Sequence, residues 1–225
     1  MQLVKNDPGY RIFPKVLNSS ECDALATALA DSRIKRSRAG ARHLMSIPVV
    51  SALANDPRLM TIAASALGGN PLPFRATLFE KSLNSNWLVF WHQDTALPIK
   101  QRCELAGWGP WSLKGGIHYA HAPTSALSRI VALRVHLDAS TEKNGSLRVL
   151  PGSHSCGALA DQEVFDLAAG ESAVECHVPR GGILMMRPLL IHSSSKCSGS
   201  TLRRVLHIEY ADSLRLDQGL ELATA

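Results

Sequence analysis

From Phe74 to about Tyr210 the chain is a succession of short apolar segments broken by Gly, Pro, Asn and Ser, and this texture restricts the fold more than any other feature. Many short strands at such spacing make a sandwich or a barrel. The expected strands are Ala76 to Lys81, Trp87 to His92, Ile130 to Asp138, Ser146 to Leu150, Ser172 to Val178, Ile183 to Met186 and Arg203 to Tyr210. Asn144-Gly145 supplies the positive φ values of a tight turn, which predicts that segments 130–138 and 146–150 pair as an antiparallel hairpin. Pro179-Arg180-Gly181-Gly182 predicts another turn, feeding the strand that leads toward His192.

The first third reads differently. Ser20-x-x-Asp23 ahead of Ala24, Leu25, Ala28 and Leu29 is a capping pattern followed by apolar residues at helical spacing. Asp56-Pro57 opens a second helix that runs through Leu59, Ile62, Ala63 and Leu67 to Gly68-Gly69. Both helices are expected to brace the sheet. The stretch from Thr95 to Ser128, rich in Gly, Pro and Trp, has no evident strand pattern; its apolar and aromatic content favours a lid over a site mouth. The 225 residues fit one domain spanning 1–225, with a helical portion over about 1–70 and a β core over about 74–211.

Composition narrows the class. With 45% apolar and 19% charged residues, and no apolar run near the length of a membrane helix, the chain reads as a soluble globular protein. An acidic residue and a proline stand where a signal peptide would have its apolar segment, and five cysteines lack any C-x-x-C pair, so a cytoplasmic location with reduced thiols is expected. The net charge of +5 is dispersed except for five Lys/Arg between Arg33 and Arg42, and without a recognition motif this gives no support to nucleic-acid binding. The oligomeric state is left open.

His92-Gln93-Asp94 carries the chemistry. On a strand, residues two apart share a face, so His92 and Asp94 can grip one metal ion while Gln93 points away. With His192 they make a facial triad of two histidines and a carboxylate, a set that suits non-heme Fe(II) oxygenases and leaves positions open. Such chemistry draws electrons from a cosubstrate, usually 2-oxoglutarate, whose far carboxylate needs a buried cation. Arg203 begins the next expected strand, where an antiparallel neighbour of the His192 segment would return; its planar fork matches a carboxylate, and strand alternation sends Arg204 the other way. Lys81, on the strand before the metal strand, is a candidate contact for cosubstrate or substrate.

Trp91-His92-Gln93-Asp94, the run from Asn144 to His154 (Asn-Gly-Ser-Leu-Arg-Val-Leu-Pro-Gly-Ser-His), His192-x-Ser194 and Leu202-Arg203-Arg204 together resemble the phytanoyl-CoA dioxygenase family over about Val16 to Ala211. The resemblance implies a mainly β, cupin-like double-stranded β-helix (jelly roll) with flanking helices. It implies Fe(II) on His92, Asp94 and His192, and 2-oxoglutarate held by Arg203 with help from the Ser194 hydroxyl. The implied reaction uses O2 to hydroxylate a small-molecule substrate and releases succinate and CO2. A coenzyme A thioester is not implied, since Gly107 to Pro123 resembles a bacterial branch of unassigned substrate.

Other residues have simpler readings. His118 and His121 fit a lid wall or substrate contact better than a second metal site, His154 fits a turn support, and Met185 and Met186 fit core filling. Arg134, His136 and Asp138 alternate on one strand, so that face either lines a wet cavity or lies outside. A halogenase would carry a small residue at Asp94, which favours hydroxylation. The alternative from another class is a non-catalytic metal- or ligand-binding jelly roll; a nucleic-acid demethylase shares the oxygenase chemistry but would want a basic groove that the dispersed charge does not provide.

Overall fold

The computed structural model describes residues 7–31, 33–37, 40–216 and 219–225. Three helices enter first: α1 (Ser19–Leu29), α2 (Pro48–Ala54) and α3 (Pro57–Leu67). The cap of α1 is Asn18, two residues before the Ser20 expected. Asn18 Oδ1 accepts the Glu21 N–H at 2.9 Å and Glu21 Oε2 accepts the Asn18 N–H at 2.7 Å, so two otherwise orphaned donors are satisfied reciprocally. α3 starts and stops as read, with Asp56 accepting the Arg58 N–H and Gly68 closing the helix at φ 74°. The first third is not wholly helical, since β1 (Tyr10–Phe13) and β2 (Gly40–Ala41) join the main sheet.

The remaining elements are β3 (Leu72–Lys81), β4 (Val89–His92), β5 (Ala96–Ile99), β6 (Trp111–Lys114), β7 (Ile117–His121), α4 (Thr124–Leu127), β8 (Ile130–His136), β9 (Leu147–Val149), α5 (Asp161–Gly170), β10 (Val174–Cys176), β11 (Ile183–Met186), β12 (His192–Ser194) and β13 (Arg203–Ala211). They form a six-stranded sheet in the order β1-β11-β8-β13-β3-β2, a four-stranded sheet β10-β9-β12-β4 and a three-stranded sheet β5-β7-β6. Every pairing between these strands is antiparallel. The mainly β, jelly-roll class expected from the sequence is what the chain adopts.

Two expectations fail on topology. Segments 130–138 and 146–150 do not form a hairpin, because β8 pairs with β11 and β13 while β9 pairs with β10 and β12 in the opposite sheet. Gly145 does take φ 71°, but the Asn144 amide accepts from Thr141 N–H and donates to the Ala139 carbonyl, so the chain turns a corner between sheets. The stretch 95–128 is not irregular either: it holds β5, β6, β7 and α4, with Leu97, Ile99, Ala120 and Leu127 in a core under the small sheet, while Thr95, Lys114, Tyr119 and His121 line a recess beside Asp94. Short strands interrupted by glycines had concealed the alternation.

Alternation along β3 positions the site. Ala76 and Leu78 face the helices and join Leu25, Leu29, Val50, Leu59, Leu133, Val135, Leu206 and Ile208 in the largest core. Tyr210 is buried there and its hydroxyl donates to the Ala54 carbonyl at 2.9 Å. The opposite parity, Arg75, Thr77, Phe79 and Lys81 on β3 with Arg203, Val205, His207 and Glu209 on β13, therefore turns to the interior between the sheets.

Candidate metal centre and the cationic interior

β4 ends at His92, and β12 lies beside it with His192 as the cross-strand partner of His92. Asp94 follows the strand end and is held by its N–H, which donates to the Pro188 carbonyl at 2.9 Å. Gln93 points away, as alternation requires, and its buried amide donates to the Gly157 and Leu189 carbonyls and accepts the Leu159 N–H. His92 Nε2 lies 3.7 Å from one Asp94 oxygen and His192 Nε2 lies 3.6 Å from the other. One ligand atom from each of the three residues falls within 4.8 Å of the others, and the described residues contain no second group of this kind, His118 and His121 included.

The ring orientations are set by the backbone. Nδ1 of His92 is 2.8 Å from the Phe90 carbonyl and Nδ1 of His192 is 2.8 Å from the Leu190 carbonyl. A carbonyl can only accept, so Nδ1 carries the proton and both Nε2 lone pairs face the Asp94 carboxylate. His92, Asp94 and His192 would hold a divalent ion through these atoms, a donor set that suits one with positions left open. Burial, reinforced by the adjacent His92, pushes His192 down to about 3, so it is neutral and ready to ligate. Burial alone would raise the Asp94 carboxyl, but His192, His92, His207 and Arg75 outweigh it and hold the acid well below the usual carboxylate range.

The inner face of the six-stranded sheet carries an unusual number of cations. Arg203 and Lys81 are cross-strand partners, both buried, and Arg134 lies opposite His207 on the neighbouring strand. Arg204 points outward and makes a bidentate pair with Asp138 at 2.8 and 2.9 Å, so the expected division of the two arginines is the one observed. β13, however, pairs with β3 and β8 rather than with the His192 strand, so Arg203 faces the triad from the other sheet. The alternating polar face read on β8 is interior for Arg134 and His136, while Asp138 lies beyond the strand at the surface.

Lys81 Nζ donates to Ser194 Oγ and to the Ser195 carbonyl, each at 2.8 Å, and Ser194 Oγ passes its own proton to the Gly145 carbonyl at 2.7 Å. To donate to an anion, the Ser194 hydroxyl would have to release Gly145. Burial, with help from Arg203 and Arg134, pushes Lys81 down to about 8, and the same two causes, burial and Arg134, push Arg203 down. Arg134 donates to His207 Nδ1 at 3.2 Å and lies over the Phe79 ring. The Nε atoms of Arg134 and Arg203 are buried with no hydrogen-bond partner, and neither arginine has a carboxylate partner among the described residues. A buried positive region of this kind is expensive unless an anion enters it.

Sequence reasoning missed Arg75, His207 and Glu209, the inward residues at the far end of the same two strands. Arg75 donates to Glu209 and to the Ala96 carbonyl. Counting by twos back from Lys81 and forward from Arg203 would have found them. His154 pairs with Asp7 at 3.5 Å beside the turn at Gly9, in keeping with a turn support, and Met186 is buried in the core between the sheets. Of the basic run from Arg33 to Arg42, Arg38 lies outside the described residues, and Arg33 and Arg36 pair with Asp31 and Glu80.

A cupin-like double-stranded β-helix with a His-Asp-His ligand set facing buried cations is the class that fold and site define. The chain belongs to the phytanoyl-CoA dioxygenase family, whose model matches residues 6–205. It is 27% identical over 188 residues to L-proline trans-4-hydroxylase of Streptomyces griseoviridis, a match covering 72% of this chain and 62% of that protein. The chain thus spans less than two thirds of that relative's length. Among solved structures, EctD from S. alaskensis in its apoform superposes with a TM-score of 0.69 at 20% identity, covering 97% of this chain and 82% of that one. HygX from Streptomyces hygroscopicus, crystallised with nickel and 2-oxoglutarate bound, gives 0.65 at 16% identity, covering 94% and 86%.

Proposed function

We propose that this protein is an Fe(II)- and 2-oxoglutarate-dependent oxygenase that hydroxylates a small-molecule substrate with release of succinate and CO2. One observation carries the reading: two Nε2 lone pairs and a carboxylate come together in a fold whose interior also holds buried guanidinium groups with no carboxylate partner among the described residues. The donor set fits a divalent metal with open positions, and the unpaired Arg203 fork fits the far carboxylate of a dicarboxylic acid. When bound, iron and the keto acid would supply the electrons that activate O2. The rest is the work of this chain. His92, Asp94 and His192 would hold the metal, with the Phe90 and Leu190 carbonyls keeping each imidazole in the ligating tautomer. Arg203 orients the cosubstrate, and Lys81 raises the positive potential around it while tying β3 to the strand that carries His192.

The family membership and the similarity to a proline hydroxylase support this reading, and an odd number of cysteines without a C-x-x-C pair in the sequence fits a cytoplasmic setting. No helix among the described residues is long and apolar enough to cross a membrane. We take residues 1–225 as one oxygenase domain. Adding Fe(II) and 2-oxoglutarate under argon should produce a visible charge-transfer band, and His92→Ala or His192→Ala should lose it while keeping the wild-type circular dichroism. A wild-type protein with no band, or either variant with a normal one, sinks the assignment.

A further inference from the structure

Beside Asp94 lies a recess of about 310 Å³, lined by Arg42, Arg75, Lys114, Thr77, Phe79 and Tyr119 among others. It is not the cosubstrate's place. On β3, Arg75 stands roughly 20 Å of strand from Lys81; the recess is lined by Arg75, Thr77 and Phe79, and Lys81 with its partner Arg203 lies beyond it along the same inner face. Asp94 lines the recess, whereas Lys81 reaches Ser194, two residues past His192 on the facing strand.

Its charges do not balance. Arg75 is neutralised, since its guanidinium is committed to Glu209 and to the Ala96 carbonyl. Asp94, the one acidic lining residue, belongs to the metal ligand set. Arg42 and Lys114 remain, and neither has a carboxylate partner among the described residues. Lys114 Nζ sits 5.0 Å over the face of Tyr119, whose hydroxyl meets His43 Nε2 at 3.0 Å, so the ammonium stands over a residue that lines the recess. Burial and the charges of Arg42 and Arg75 push Lys114 down, which is the sign of a region already too positive.

We infer that this recess takes an oxyanion of the substrate, a carboxylate or phosphate, held by Arg42 and Lys114 so that the adjoining carbon skeleton lies against the open side of the Asp94 ligand. The inference rests on the oxygenase reading and names the substrate class for that site. Two cations at the mouth of a pocket walled by Phe79 and Tyr119 raise the local concentration of anions and fix one end of the molecule. Neutral substrates gain nothing from them.

The test is calorimetric and needs no turnover. Wild type, the Arg42→Gln/Lys114→Gln double variant and Arg203→Ala are each loaded under argon with Fe(II) and saturating 2-oxoglutarate, then titrated with small cyclic carboxylic acids, the matching carboxamides and inorganic phosphate. At least one acid, or phosphate, should bind wild type at least tenfold more tightly than any amide, and the double variant should lose that preference while its 2-oxoglutarate affinity stays within twofold. Both changed side chains are exposed, so the fold is retained. Normal charge-transfer absorption with no preference for acids over amides overturns the inference and spares the oxygenase reading. A preference that survives in the double variant overturns it as well. Absence of the band in wild type defeats the oxygenase reading instead, and the acid-over-amide comparison on the same sample still reports on the recess.

Discussion

Replacing Arg203 with methionine should stabilise the protein without cosubstrate and cripple its binding of 2-oxoglutarate, two effects of opposite sign from one site. Arg203 is only 3% exposed, its Nε has no partner, and the nearest charges that act on it include another buried guanidinium, Arg134. Exchanging an uncompensated buried cation for an apolar side chain of similar length should raise stability by about 1–3 kcal/mol. At this chain length that is about 2–4 °C in midpoint for each kcal/mol. The same change removes a charge-assisted, bidentate contact to the cosubstrate's far carboxylate, a loss of about 2–5 kcal/mol, or roughly thirty-fold to several thousand-fold in affinity. Arg204→Ala is the control. It breaks a partly exposed pair with Asp138, so it should cost about 1 kcal/mol of stability and change 2-oxoglutarate affinity less than about threefold. Thermal unfolding of the metal-stripped protein, together with titration of 2-oxoglutarate into the Fe(II) form under argon, reads both quantities. If Arg203→Met unfolds earlier than wild type, or if Arg204→Ala is the more defective in cosubstrate binding, the argument from buried charge is wrong.

Three further outcomes are expected. The metal-stripped protein should lose stability as pH falls from about 6.5 toward 3: burial holds His192 down to about 3 and His136 well below its ordinary value, so the unfolded chain takes up protons that the folded one refuses. A midpoint that stays flat between pH 7.5 and 4.5 would mean these histidines are not buried as neutral rings. Gly145→Ala should cost about 1–3 kcal/mol, because φ is +71° and the added Cβ would lie 2.4 Å from the Ser195 carbonyl and 3.2 Å from Lys81 Cδ. It should also weaken 2-oxoglutarate binding, since Lys81 and Ser194 hang on those same carbonyls, and a variant with wild-type stability and affinity would refute the linkage. Asp94→Gly should lose at least tenfold in Fe(II) affinity and lose hydroxylation; turnover at the wild-type rate would show that Asp94 is not a ligand.

Much of the centre was legible because it rests on local rules. His92 and Asp94 share a face across Gln93 by strand period alone, Asp56-Pro57 and Gly68 bound a helix by capping chemistry, and alternation divides Arg203 from Arg204 whatever sheet they join. The ligand set is of this kind too, since the chemistry of two imidazoles and a carboxylate does not depend on which strands deliver them. What failed was pairing: β9 left β8 for the other sheet, β13 came back beside β3 rather than β12, and the 95–128 stretch closed into a small sheet.

The chain by itself determined which side chains alternate along its strands, where α3 begins and ends, and that two imidazoles and a carboxylate are available to meet one another. Only the tertiary structure decided that Arg203 and Lys81 pair on the sheet facing the strand of His192, that Arg134 lies opposite His207 on the neighbouring strand, and that Arg42 and Lys114 line one recess beside Asp94. The reason is physical: parity along a strand is fixed by backbone geometry, residue by residue. Which strand lies beside which is fixed by the joint burial of apolar faces from segments distant in the chain, and an isolated turn such as Asn144-Gly145 fits a corner between sheets as readily as a hairpin.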